Sequence, residues 1–75
     1  MMNIKISVEY GKTFGYWTWE VHTDRMNEED QVVNKNIKRY SDKGGAIRNA
    51  KAIREEFPNA PINIYTMKGE FQRTI

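Results

Sequence analysis

The stretch Ile4-Lys5-Ile6-Ser7-Val8-Glu9-Tyr10, followed by Gly11-Lys12-Thr13-Phe14-Gly15 and then by Tyr16-Trp17-Thr18-Trp19-Glu20-Val21-His22, decides the fold. In its first segment Ile4, Ile6, Val8 and Tyr10 alternate with Lys5, Ser7 and Glu9. That is the period-two pattern of a strand with one buried and one wet face. Gly11 and Gly15 bracket three residues and permit the positive φ values that hairpin loops need, so the chain is expected to turn back between them. In the return strand Trp17, Trp19 and Val21 share one side, and Tyr16, Thr18, Glu20 and His22 the other. Aromatic and β-branched residues suit a pleated surface. A domain this small needs its largest apolar groups inside, so both tryptophans are expected beneath the helix that follows.

Working outward, residues 23 to 30 are polar, carry Glu28-Glu29-Asp30 and show no periodicity, which reads as a solvated connection. A third strand is expected from Gln31 to about Tyr40. Neither of its faces is cleanly apolar, as for an edge strand or one with a bulge. Ser41 or Asp42 then caps a helix running to about Phe57, with Ala46, Ala50, Ile53 and Phe57 in one narrow sector facing the sheet and Pro58 ending it. Ile62 to Met67, a turn at Lys68-Gly69, and Glu70 to Ile75 form a closing hairpin. The expectation is one α+β domain over residues 1 to 75, an antiparallel sheet in β-β-β-α-β-β order packed on one α-helix.

Composition narrows the function classes. A chain of 75 residues buries only about 60% of its unfolded surface. Having no cysteine and one histidine, it lacks the disulfides and structural zinc that often reinforce small domains. Met1 to Tyr10 alternates rather than forming a continuous apolar run, so it reads as neither a secretory signal nor a membrane span, and a cytoplasmic protein is expected. The net charge of +2 is unevenly spread. Between residues 35 and 54 lie Lys35, Lys38, Arg39, Lys43, Arg48, Lys51 and Arg54 against Asp42 alone, and this is the one electrostatic feature of note.

Gly15-Tyr16-Trp17-Thr18-Trp19-Glu20-Val21, Tyr40-Ser41-Asp42-Lys43-Gly44-Gly45-Ala46, the helix Ile47 to Phe57 and Pro58-Asn59-Ala60 together resemble the YegP-like family of small proteins of unknown function. The resemblance covers roughly residues 3 to 60. It implies a three-stranded antiparallel sheet on one helix and brings no established activity, cofactor or site residues. Between Thr23 and Asn34 this chain departs from the family, with a longer acidic loop where the family has a tight Asn-Gly hairpin, which leaves the register of strand three open.

No catalytic motif is present, and an enzyme is not expected. His22 lies on a wet strand face without a partner placed by the sequence, and reads as an ordinary surface residue. Glu28, Glu29 and Asp30 read as solvated rather than as metal ligands, and no cofactor is expected. Gly44-Gly45 beside Lys43 reads as a glycine pair letting the helix approach the sheet, in preference to a phosphate site. On a helical projection Lys43, Arg48, Lys51 and Arg54 form a band along one flank of the apolar stripe, interrupted at one edge by Glu55, and Lys35, Lys38 and Arg39 extend it from strand three. The leading expectation is a small non-enzymatic binding module, a regulator or inhibitor of bacterial or phage type. It would engage another protein through the helix flank or an exposed sheet edge, with homodimer formation as another use of such an edge. The alternative is a nucleic-acid-binding module using the basic band of residues 35 to 54.

Overall fold

The computed structural model describes residues 3 to 75; Met1 and Met2, part of the amino-terminal stretch considered above, lie outside them. The chain is an α+β fold in which one helix packs on a five-stranded mixed sheet. Strands β1 (Asn3–Thr13), β2 (Tyr16–Met26) and β3 (Val32–Tyr40) precede helix α1 (Lys43–Glu56), and β4 (Ile62–Tyr65) and β5 (Phe71–Thr74) follow it. In space the strands run β3-β2-β1-β4-β5.

The expectation of a wholly antiparallel sheet is corrected at one pair: β4 lies parallel to β1, matching Ile6 with Ile62 and Val8 with Ile64. The reason is connectivity. A helix crossing from an edge strand back over the sheet delivers the next strand in the direction in which β3 left, and β3 and β1 both run antiparallel to β2. β1, β2 and β3 form an antiparallel meander with β4 and β5 added beside β1, so the sheet has five strands rather than the three that the family resemblance implies.

The hairpin between β1 and β2 is tighter than the sequence suggests. Its loop is Phe14-Gly15 alone, both at positive φ, 54° and 87°, as a type I′ turn requires. Gly11 is an ordinary ladder position opposite Thr18 rather than part of the loop. The expected connection at residues 23 to 30 is also corrected, since β2 continues through Thr23, Asp24 and Arg25 to Met26. Here Thr23 and Arg25 line a small cavity with Ile4 and Phe57, and Met26 is buried, so the strand runs on without an apolar alternation that the sequence could display. The connection proper is closed by Asn27, whose side-chain oxygen accepts from the Glu29 and Gln31 backbone N–H groups at 2.9 and 3.0 Å. Val33 is the extra residue of a bulge, because Val32 pairs with Met26 and Asn34 with Arg25.

The helix forms as its sequence directs. Asp42 is the N-cap, its carboxylate accepting from the Gly45 N–H at 2.6 Å, and the helix stops before Pro58. Ala46 and Ala50 are fully buried, and their small side chains let the helix axis sit close to Ile6, Val8, Val21, Ile62 and Ile64. Burying each of those branched side chains contributes on the order of 1.5–3 kcal/mol. Ile4, Ile47, Ile53 and Phe57 pack around this cluster, and Ile75 completes it through backbone hydrogen bonds in both directions with Ile62.

Candidate partner-binding surfaces

Opposite the helix, the sheet carries a polar network built by strand register. Glu20 on β2 stands between Glu9 on β1 and Arg39 on β3, and His22 stands between Ser7 and Ile37. Although no helix covers this face, Glu20 is only 5% exposed. Its carboxylate accepts from Thr13 Oγ1 at 2.6 Å and lies 2.9 Å from His22 Nε2. Burial pushes the Glu20 carboxyl up, yet the hydrogen bonds from Thr13 and His22 and the charges of His22 and Arg39 outweigh it, holding the group below its ordinary value. Gly11 makes the room: a Cβ there would meet Glu20 Oε1 at 2.6 Å. His22 is therefore corrected from a plain surface residue to a member of a carboxylate network, with Glu9 Oε2 at 3.7 Å on its other side and Ser7 donating to Glu9 at 2.6 Å. A glycine inside an alternating strand, a sign of close approach, was the one trace of this arrangement in the sequence.

The basic residues of the helix and of strand three, expected to bind a partner together, do not form one surface. Arg48 and Lys51 are exposed on α1, with Lys43 and Arg54 half-buried beside them. At the start of this flank Lys43 Nζ donates to Gln72 of β5 at 2.6 Å. Lys38 and Arg39 lie on β3 at the opposite edge of the sheet and point to opposite faces. Lys38 pairs with the buried Val21 on the helix side; Arg39 pairs with Glu20 and stacks on the Tyr16 ring at 5.4 Å. Lys35 is spent on Asp24 at 3.5 Å, so strand three does not extend the helical band. Arg73, which pairs with Ile64 on β5, is exposed on the helix side of the sheet. Among the described residues no carboxylate is in ion-pair range of Lys43, Arg48, Lys51 or Arg54. The first-turn Gly45 N–H is already taken by Asp42, which disfavours an anion there.

The tryptophans separate. Trp19 is 9% exposed and carries Lys43 over its ring at 4.9 Å, marking where the helix begins. Trp17 is 58% exposed, against the expectation that both lie beneath the helix. Lengths explain it: 14 helical residues span ~21 Å, whereas the 11 residues of β2 span ~36 Å. The β1–β2 hairpin therefore overhangs the helix, and Trp17 stacks on Tyr10 with ring centroids 5.7 Å apart.

The third surface is the outer edge of β3. It is the last strand on its side of the sheet, exposed from Val32 to Lys38, and Val32, Val33 and Ile37 are about half accessible. The other edge, β5, has only four residues. Among the described residues no cluster of three or more metal-binding side chains occurs, and no helix is long and apolar enough to cross a membrane. No protein-family model matches the chain, and neither a curated protein nor a solved structure is significantly similar to it.

Proposed function

We propose that the chain is a non-enzymatic protein-binding module that adds an extended segment of its partner to β3. The observation that carries this reading is a nine-residue strand with a free outer edge and half-accessible Val32, Val33 and Ile37. Unpaired N–H and C=O groups along such an edge are a template for strand addition, with side chains on alternate faces supplying specificity. Charge selects the partner. β3 carries no acidic residue, and although Lys35 is engaged by Asp24 and Arg39 faces Glu20, Lys38 stands exposed without an ion-pair partner among the described residues. An acidic segment is therefore favoured over a second β3 strand, which would bring two Lys38 side chains together. The module then acts by occupying its partner, as a small regulator or inhibitor does.

The test is affinity capture from lysate with and without nuclease, using the wild type and a Val33→Asp/Lys38→Glu variant whose changes lie at exposed positions. The reading expects nuclease-resistant protein partners that the variant loses, together with slowed hydrogen exchange of β3 amides in the complex. Partners held equally by the variant, or β3 amides exchanging at an unchanged rate, refute it.

A further inference from the structure

We infer that the overhanging hairpin and the adjoining helix flank form a second site, which takes single-stranded nucleic acid by stacking a base on Trp17 and holding phosphates on Lys12, Lys43, Arg48 and Lys51. Two independent observations meet here. The first is the indole: one ring face of Trp17 rests on Tyr10, and with 58% of the residue exposed the ring remains open to solvent. A rigid, half-covered aromatic of this kind is what a splayed base stacks on, whichever base it is. The second is charge. Lys12 is directly opposite Trp17 in the β1–β2 ladder and therefore on the same face, and it is exposed. Lys43 begins the helix over the neighbouring Trp19, and Arg48 and Lys51 continue along its exposed surface.

Among the described residues none of these four cations is in ion-pair range of a carboxylate. The acidic side chains of β1 and β2, Glu9, Glu20 and Asp24, lie on the other face of the sheet, and Asp42, near Arg48, is engaged in capping the Gly45 N–H. A cationic track ending at an open aromatic ring suits a flexible strand whose bases are unpaired. Duplex bases are already stacked, and a purely anionic surface would have no use for the indole. This site is independent of the β3 edge.

A labelled oligothymidylate, the same sequence as a duplex, heparin, and phosphatidylserine vesicles are the four probes, titrated against the whole chain at low and at physiological ionic strength. The oligothymidylate is expected to bind best and to quench tryptophan emission. The expected dependence of log K on log salt has a slope on the order of −3 for four phosphate contacts. Trp17→Leu weakens binding about tenfold or more while Trp17→Phe restores most of it; Arg48→Glu/Lys51→Glu reduces the magnitude of the slope by about 1.4. Unchanged thermal midpoints confirm that these surface variants fold. Duplex, heparin or vesicles binding as tightly as the single strand, or Trp17→Leu binding as the wild type does, overturns the inference. Val33→Asp/Lys38→Glu leaves this binding unchanged, so failure here and failure at β3 are separately visible.

Discussion

Glu20 shows how a single missing side chain shapes the exposed face of the sheet. Its carboxylate lies in the space above Gly11, held by Thr13 and His22, and a methyl group at residue 11 would meet an oxygen that is fixed rather than free to swing away. Gly11→Ala should therefore destabilise the fold by roughly 1–2 kcal/mol, through displacement of a buried carboxylate from its hydrogen bonds. In a Glu20→Ala background the obstruction is gone, and the same substitution should become neutral or mildly stabilising, because alanine loses less backbone entropy than glycine in a strand. A denaturation double-mutant cycle measures the difference. Additivity of the two changes would mean that the glycine is not there for the carboxylate.

At the scale of elements, the helix is held at its start by a side chain and along its length by packing. Asp42 satisfies the Gly45 N–H, and there is no acidic residue in the first turn to share the task. Asp42→Ala is expected to cost about 1 kcal/mol by urea denaturation. That loss would be felt next to Lys43, which joins α1 both to Trp19 and to Gln72 of β5. The strands differ from the helix in what holds them. β1 is bonded on both sides, to β2 and β4, whereas β3 and β5 each have one neighbour and depend on it. β3 combines that half-paired state with nine residues of length, which makes it the more capable edge for recruiting a partner strand.

Across the whole molecule, a helix shorter than the hairpin beneath it leaves Trp19 buried and Trp17 exposed. Iodide should accordingly quench one of the two tryptophans in the folded protein and leave the other protected, and Trp17→Phe should remove the accessible fraction. Two equally protected indoles would place the helix further along the hairpin than it is seen. The same geometry keeps the carboxylates of β1 and β2 on one side of the sheet and the unpaired cations of the helix on the other. The amino-acid sequence by itself determined the order of elements, a capped helix start at Ser41 or Asp42, the stop at Pro58 and the apolar stripe of the helix, because these depend on periodicity and on neighbours within a turn. Only the tertiary structure decided that β4 runs parallel to β1, that Trp17 is open while Trp19 is closed, that His22 and Glu20 meet, and that Lys38 and Arg39 are parted from the helical band. Those outcomes depend on which strands become neighbours and how far the helix reaches across them, and residues distant along the chain set both.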